Sequence, residues 1–187
     1  GAAVTAVKMK GVNHEFQAVK GVREDALEII LNLKGLRLKC FSDQPVKLSL
    51  TVKGSKTVTA ADIQPNSDIE IMNPNLVIAT ITEDAAVLDM ELTVRNGRGY
   101  SPTEERTNET QELGTIAIDA LFSPIRNVGY RVENTRVGEI TNFDKLIMTI
   151  ETDGTITAKE AVETSAKILI DSFALLTPSG ASGTEEV

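Results

Sequence analysis

The chain has 187 residues, of which 41% are hydrophobic and 25% are charged, and its formal net charge is -8. This composition is typical of a globular protein with one domain or two small lobes, and the core must consist of Leu, Ile, Val and Ala because only 4% of the residues are aromatic. The acidic balance argues against binding to DNA or RNA through bulk charge.

The chain opens with two segments that are expected to be extended. Residues 2–9 alternate apolar and polar side chains and predict a strand, which residues 11–16 are expected to continue. His14 and Glu15, as neighbours on a strand, would point to opposite faces and could not easily form a catalytic pair. Cys40 is the only cysteine and is interpreted as a small apolar residue in a reducing cytosol. We therefore predict neither a catalytic site nor a metal site from these residues.

A helix is predicted over residues 22–34. It follows a turn at Gly21, and Glu24 and Asp25 in its first turn favour the positive end of the helix dipole. Gly35 is expected to stop the helix by adopting the left-handed conformation. The apolar residues at helical spacing are Val22, Ala26, Ile29, Ile30 and Leu33, and Leu27 and Leu31 widen this face. The helix is therefore expected to be well buried.

Two strictly alternating segments, residues 46–52 and 87–94, predict strands with one apolar face and one polar face. Asp89 and Glu91 share the polar face of the second strand. Such a pair could suggest a carboxylate site, but we interpret it as the solvated face of a sheet. The polar segment 101–112 is expected to be a mobile loop.

The last third of the chain predicts strands at residues 128–132 and 146–151, followed by a helix over residues 158–176. Thr157 and Glu160 have the spacing of a capping box at the start of that helix. Its apolar residues recur at alternating steps of four and three and form a coiled-coil-like seam of Val162, Ala166, Leu169, Phe173 and Leu176. The seam is either part of the core or a subunit interface, and the sequence favours neither.

Two further features concern the ends and the apolar runs. Residues 177–187 are small, polar and helix-breaking, and are interpreted as a flexible linker or tail. No apolar run reaches the length that a bilayer requires. The chain is also expected to be a fragment, because it begins without methionine in what reads as a strand already in progress.

Several stretches, taken in order and spacing, resemble the amino-terminal domain of the bacterial RNA polymerase alpha subunit family. Each is weakly diagnostic by itself, but the ordered set is highly specific and covers nearly the whole chain up to the tail. The stretches are GAAVTAV, GVNHEF, GVREDALEIILNLKGL, VTAADI, NGRGY, DALFSPIRNVGYRVENTRVG, TNFDKLIMTIETDGTITAKEAV and AKILI.

The resemblance implies an α+β fold in two lobes. Residues 2–123 would form a mainly antiparallel β insert lobe that contacts the large subunits, and residues 124–176 would form part of an α/β dimerisation lobe. The implied function is a non-catalytic assembly scaffold of DNA-directed RNA polymerase in the bacterial cytosol, associated with the nucleoid within the polymerase. It would dimerise with a second alpha subunit and dock the beta and beta-prime subunits. It implies no cofactor, no metal, no direct DNA contact from this chain and no membrane contact.

The resemblance also implies site residues. One large-subunit group comprises His14, Glu15, Phe16, Gly21, Glu24, Asp25, Lys34 and Gly35, and the other comprises Arg98, Gly99, Tyr100, Arg136, Asp144 and Lys145. Exposed charge and close approach at glycine suit such docking. The implied dimer contacts are Val162, Ala166, Leu169, Phe173 and Leu176. The family's initial strand, long first helix and carboxyl-terminal domain are expected to lie outside this sequence.

Two alternatives remain open at this point. The chain could be a generic homodimeric protein-binding module, or a small cytosolic α+β enzyme with a carboxylate site. The enzyme would place clustered acids with perturbed pKa values in a pocket, whereas the scaffold predicts a broad apolar face around Leu169 and Phe173.

Overall fold

A computed structural model describes residues 1–106, 112–138 and 140–176 of the chain. The chain divides into two compact units, the first formed by Gly1–Pro124 and the second beginning at Ile125. The described residues are mainly antiparallel strands with two α-helices, which confirms the α+β class. The tail predicted at residues 177–187 lies outside the described residues, as does the centre of the predicted loop at residues 107–111.

Among the described residues, the first unit contains ten strands and one α-helix. In chain order they are β1 (Ala2–Met9), α1 (Ala26–Leu33), β2 (Leu38–Cys40), β3 (Val46–Lys53), β4 (Lys56–Thr59), β5 (Ile69–Ile71), β6 (Val77–Ile81), β7 (Val87–Asn96), β8 (Tyr100–Ser101), β9 (Thr115–Ala117) and β10 (Ala120–Leu121). Short 3-10 turns lie at Ala60–Asp62 and Thr103–Arg106. A four-stranded antiparallel sheet has the strand order β3-β7-β1-β9, and three two-stranded pairs, β2-β5, β4-β6 and β8-β10, accompany it.

The core of the first unit lies against the inner face of this sheet. Leu92 of β7 pairs with Leu48 of β3 on one side and with Val7 of β1 on the other, and all three side chains are fully buried. The alternation predicted for β3 and β7 is therefore confirmed. The buried face of α1 consists of Ala26, Ile29, Ile30 and Leu33, as its spacing predicted. Leu27 and Leu31 are exposed, so the expected widening of that face is wrong.

The helix α1 begins four residues later than its pattern predicted. Asp25 is its N-cap, with an extended backbone, and its carboxylate accepts a 2.8 Å hydrogen bond from the Glu28 N–H. Glu28 completes a capping box by accepting from the Asp25 N–H at 3.3 Å. The preceding residues pair with a strand instead, because Val22 bridges Ile81 of β6 in antiparallel fashion. The helix also ends differently from the prediction. Gly35 does not have a positive φ, and its N–H donates to the Asn32 carbonyl at 2.9 Å in a tight turn.

Residues 11–16 do not continue β1, contrary to expectation. The chain turns after Met9, where the Val12 N–H donates to the Met9 carbonyl at 3.1 Å. The Gln17 side chain then organises the loop, accepting from the Asn13 N–H at 2.9 Å and donating to the Gly11 carbonyl at 2.8 Å. A side chain that satisfies loop backbone in this way stabilises a turn instead of a strand.

Arg106 ends the Thr103–Arg106 turn, in a region that was predicted to be a mobile loop. Its guanidinium donates to the carbonyls of Thr5 at 3.2 Å and of Ser101 at 3.5 Å, and also to the carbonyl of Ile118. These carbonyls belong to β1, to β8 and to the segment after β9, and the Thr5 carbonyl also accepts the Ile118 N–H at 2.9 Å. The arginine therefore links three separate backbone segments.

The second unit contains β11 (Ile125–Val137), β12 (Ile140–Thr152) and α2 (Ala158–Ala174). The two strands form a long antiparallel hairpin and extend further than the predicted segments. The capping box at the start of α2 is confirmed, with the Glu160 N–H donating to Thr157 Oγ1 at 3.2 Å and the Thr157 N–H to Glu160 Oε2 at 2.7 Å. The helix ends at Ala174, so Leu176 lies beyond it and not on its seam. Among the described residues, no helix has the length and hydropathy needed to cross a membrane.

Replacing Leu92 with Ala should lower the free energy of unfolding of the first unit by about 2–5 kcal/mol, because it empties a fully buried site at the centre of the sheet. Urea denaturation followed by circular dichroism would measure the loss. The control is Leu113→Ala, at a side chain that is 96% exposed, which should change the free energy by less than about 0.5 kcal/mol. Equal losses in the two variants would contradict the assigned core.

Candidate interaction surfaces

Asp119 brings together residues that the sequence had placed in separate groups. Its Oδ1 accepts a 2.9 Å hydrogen bond from the Thr103 N–H, and its Oδ2 lies 3.7 Å from Lys34 Nζ. The Tyr100 hydroxyl lies near the same carboxylate and helps to lower its pKa. Lys34 belongs to the first implied group and Tyr100 to the second, so these two groups meet at one aspartate. Sequence reasoning missed Asp119, because nothing in its local pattern reveals partners so far away along the chain.

The same contacts set the charge states at this point. The Thr103 N–H lowers the pKa of Asp119 in opposition to its partial burial, and the nearby Lys34 ammonium lowers it further. Burial raises the pKa of the Tyr100 phenol, and the Asp119 carboxylate adds to that effect. At neutral pH the site therefore holds an ionised carboxylate between a cation and a neutral hydroxyl.

Exposed apolar side chains surround this ion pair. Leu121 pairs directly with Tyr100 in the β8-β10 ladder, and the two residues are 63% and 60% exposed. Leu31 lies one helical turn before Lys34 on α1 and is also exposed. We call these five residues (Leu31, Lys34, Tyr100, Asp119 and Leu121) the Asp119 surface. Tyrosine and leucine beside an ion pair are suited to a protein interface.

Glu24 does not present exposed charge, contrary to expectation. Its residue is only 8% exposed, and its carboxylate accepts hydrogen bonds from the Thr80 N–H at 2.6 Å and the Thr80 hydroxyl at 3.1 Å. Arg23 adds an ion pair at 2.8 Å. Burial opposes ionisation, but these hydrogen bonds outweigh it and lower the pKa of Glu24. The carboxylate is therefore engaged within the first unit.

Most other residues of the first group lie around the start of α1 and in the loop before it, whereas Lys34 and Gly35 lie at its end. His14 and Phe16 belong to a turn, which the Gln17 N–H closes by donating to the His14 carbonyl at 3.3 Å, and Phe16 is 74% exposed; Glu15, between them, is half-buried. At Gly21 the backbone has φ 74°, and an added Cβ would lie 2.3 Å from the Ala86 Cβ. No side chain fits there without displacing its neighbour.

Several implied contact residues already have a structural role. The Asp25 carboxylate caps α1, and the Gly35 carbonyl accepts from the Asn73 side chain at 2.9 Å. Gly99, with φ 65°, accepts a 2.8 Å hydrogen bond from the Phe122 N–H, and Arg98 beside it is exposed. These structural roles are compatible with contact to a partner. That contact stays a prediction for every residue of both implied groups.

The second unit carries the remaining charged candidates on its hairpin. Asp144 pairs with Asn134 and Lys145 with Glu133, so the two neighbouring charges point to opposite faces of the ribbon. Arg136 donates from Nε to the Gly138 carbonyl at the hairpin end. All three are exposed.

A broad apolar surface covers one side of the second unit. On α2 the members of the implied dimer seam are all exposed, including Leu169 at 58% and Phe173 at 64%. The hairpin extends this surface, because its paired residues share one face of the ribbon. The hairpin residues concerned are Val128, Tyr130, Val132, Leu146, Met148 and Ile150, in the pairs Val128–Ile150, Tyr130–Met148 and Val132–Leu146.

The helix and the hairpin meet in an open groove. It is lined by Val128, Met148 and Ile150 from the strands and by Val162, Ala166 and Leu169 from the helix. Ala161 is the only apolar side chain of this unit that is buried among the described residues. We call the exposed apolar side chains of α2 and the hairpin the apolar surface. The sequence analysis predicted the part of this surface on α2. The part on the hairpin could have been predicted from the alternation of apolar residues in both strands.

The carboxylates on the outer face of the sheet are ion-paired. Glu91 and Glu112 both lie 2.9 Å from Lys47 Nζ, and Lys8 lies 3.3 Å from Glu112. The two lysines lower the pKa of Glu112, and Glu112 and Glu91 raise that of Lys47. Asp89 accepts from the Thr51 hydroxyl at 3.0 Å. Within the described part of the chain, no group of three His, Cys, Asp or Glu side chains could hold a metal ion.

An α+β chain with an aromatic, ion-paired surface in one unit and an uncovered apolar surface in the other has the properties of a module that binds polypeptides. The profile of the RNA polymerase Rpb3/RpoA insert domain family matches residues 7–123. The chain belongs to this family, and the resemblance drawn from the sequence is confirmed.

The chain is similar to curated alpha subunits of DNA-directed RNA polymerase. It is 50% identical to that of Oceanobacillus iheyensis over 171 residues, which cover 91% of this chain and 54% of that protein. It is 50% identical to that of Moorella thermoacetica over 175 residues, covering 94% and 56%, and 48% identical to that of Roseiflexus castenholzii over 170 residues, covering 91% and 52%. The chain thus spans about half the length of these relatives.

Asp119→Asn should lower stability at pH 7 by less than about 1 kcal/mol, because the carboxylate is partly exposed. Its pKa lies below the ordinary 3.8 in the folded state, so the unfolded state binds the proton more readily. The stabilisation is complete above the unfolded pKa and is lost as the pH falls through the folded pKa. The difference in free energy of unfolding between Asp119→Asn and the unchanged protein, measured by urea denaturation, should therefore shrink as the pH falls from about 5 to about 2. A difference that grows toward acid would contradict the assigned contacts, and Asp43→Asn, at an exposed loop carboxylate, is the control.

Proposed function

We propose that this chain is the assembly-scaffold part of an RNA polymerase alpha subunit. The observation that carries the proposal is the apolar surface of the second unit, in a chain whose first unit matches the insert domain family. A continuous surface of exposed Leu, Ile, Val, Met and aromatic side chains favours association with another polypeptide. The names of its relatives support RNA polymerase as that assembly.

Dimerisation is the proposed role of the apolar surface. A second alpha subunit would cover Val162, Ala166, Leu169 and Phe173 on α2, and Leu176 just beyond the helix would lie at the rim. Leu169 and Phe173 are more than half exposed, so their removal from water would contribute strongly to association. The hairpin residues beside them would enlarge the same interface.

Docking of the large subunits is the proposed role of the charged groups. We assign the beta subunit to one protomer of the dimer and the beta-prime subunit to the other. In the first unit the Asp119 surface supports this role, because it combines exposed aromatic and aliphatic side chains with the ion pair of Lys34 and Asp119. The turn at residues 14–16 adds the exposed Phe16. In the second unit Arg136, Asp144 and Lys145 are the proposed contacts.

The proposed scaffold performs no catalysis and uses no cofactor. Nucleotidyl transfer would take place on the large subunits of the polymerase, in the bacterial cytosol, and this chain would not contact DNA directly. The acidic net charge of -8 agrees with that division of labour. A small enzyme is less well supported, because Glu91 and Glu112 on the sheet face are paired with lysines and Asp89 accepts from the Thr51 hydroxyl.

Replacing Leu169 and Phe173 together with Glu, in the intact alpha subunit, should convert the dimer to a monomer. Two carboxylates placed in an apolar interface cost several kcal/mol because nothing there can hydrogen-bond them. Sedimentation velocity would measure the change, and circular dichroism would verify that the sheet unit stays folded. Lys167→Glu adds a carboxylate at another exposed position of α2 and should leave the dimer intact. A double variant that still dimerises would refute the assignment.

Replacing Tyr100 with Ala should weaken binding of the intact alpha subunit to the beta subunit by about tenfold or more, as truncation of an aromatic anchor does. Lys34→Glu should also weaken binding, because it places two carboxylates side by side at Asp119. Quantitative co-purification of the two subunits would measure both effects. Lys53→Glu, an exposed charge change at the end of β3, is the matched control. Equal losses in Lys34→Glu and Lys53→Glu would reflect net charge, and normal binding by Tyr100→Ala would reject the Asp119 surface.

A further inference from the structure

The residues just before α1 run alongside β6 as an additional short strand. The Thr82 N–H donates to the Gly21 carbonyl at 2.9 Å, Val22 bridges Ile81, and the Arg23 N–H donates to the Thr80 carbonyl at 2.9 Å. We call residues 21–25 the pre-helix strip. Its pairing with β6 ends at Glu24, where the chain leaves the strand direction and enters the helix.

Glu24 closes this pairing with its side chain. Its Oε2 accepts the Thr80 N–H, and its Oε1 accepts both the Thr80 hydroxyl and the Arg23 guanidinium. Both carboxylate oxygens are therefore used within the unit, and the residue is only 8% exposed. At this exposure the carboxylate offers little surface for a direct contact with another subunit.

The strip also holds the two segments that carry docking groups. Its last residue, Asp25, caps α1, which carries Leu31 and Lys34 of the Asp119 surface. Asp25 also bridges Ala18, and the Ala26 N–H donates to the Gln17 carbonyl at 3.0 Å, directly after the turn at residues 14–16. The position of that turn and the start of the helix thus depend on the same short stretch of backbone.

We propose that Glu24 is a positioning residue, which fixes the turn at residues 14–16 and the start of α1 relative to β6 through its hydrogen bonds with Thr80. It acts through Thr80 and not by touching a large subunit. This inference rests on the proposed docking function, and it changes the role of Glu24 from a contact to a support. Hydrogen bonds to an ionised carboxylate are among the stronger ones in proteins, and a largely buried carboxylate holds its donors in one geometry.

The test compares Glu24→Gln, Thr80→Val and the double variant in the intact alpha subunit, at a temperature where circular dichroism shows all of them folded. Under that condition a loss of global stability alone would leave affinity for the beta subunit unchanged. We expect each single variant to bind the beta subunit about tenfold more weakly. The double variant should lose clearly less than the product of the two effects, because both changes break the same contact. Glu70→Gln, which removes an exposed carboxylate from β5, should bind normally.

The outcomes separate this inference from the proposed function. Normal binding by Glu24→Gln, or effects of Glu24→Gln and Thr80→Val that simply multiply, would overturn the positioning role. If the unchanged subunit does not bind the beta subunit, the docking function fails, and amide hydrogen exchange then decides the inference. The Ala26 amide, which donates to Gln17, should exchange faster in Glu24→Gln and Thr80→Val than in Glu70→Gln. Equal exchange rates in all three variants would overturn the inference.

Discussion

A helix or sheet with one apolar face must cover that face, and the two units of this chain meet this constraint differently. In the first unit α1 and the inner face of the β3-β7-β1-β9 sheet bury their apolar side chains internally, around Leu92 and Ile29. In the described part of the second unit, α2 and the hairpin have apolar faces of similar character, and Leu169, Phe173 and Tyr130 are all more than half exposed. The first unit is therefore suited to independent stability, whereas the second is suited to association.

Buried polar contacts hold the irregular parts of the first unit onto this core. Arg106 uses its guanidinium to satisfy carbonyls beside β1, and Glu24 uses its carboxylate to satisfy Thr80 on β6. Asn32, on the opposite end of α1, donates to the Ile78 carbonyl at 2.9 Å. The helix is thus fastened to β6 at both ends by hydrogen bonds, in addition to its apolar packing. All three hydrogen bonds are partly buried, so removing one partner should cost more than breaking an exposed hydrogen bond.

The sequence predicted elements whose signal is local and missed those that depend on distant partners. Strict alternation located β3 and β7, and the spacing of Thr157 and Glu160 located the start of α2, because pleat and capping are short-range effects. The start of α1 was misplaced because Val22 fits a helical face and a strand equally well, and only β6 decides between them. Gly35 was read as a left-handed stop, but the helix closes with a tight turn that needs no positive φ.

The site residues divide along the same line. Candidates such as Phe16 and Tyr100 are large apolar residue types, which the sequence shows directly, and they are 74% and 60% exposed in the structure. Asp119 lies between Ile118 and Ala120 in the sequence, and Glu24 lies between Arg23 and Asp25, but it is their surroundings in the fold that separate their roles. Asp119 lies in a half-exposed cluster that leaves it accessible, whereas the hydrogen bonds of Glu24 are directed into its own unit. Whether Asp119 or Glu24 is available to a partner therefore depends on its exposure and on the donors from which its oxygens already accept. Both are set by the tertiary structure.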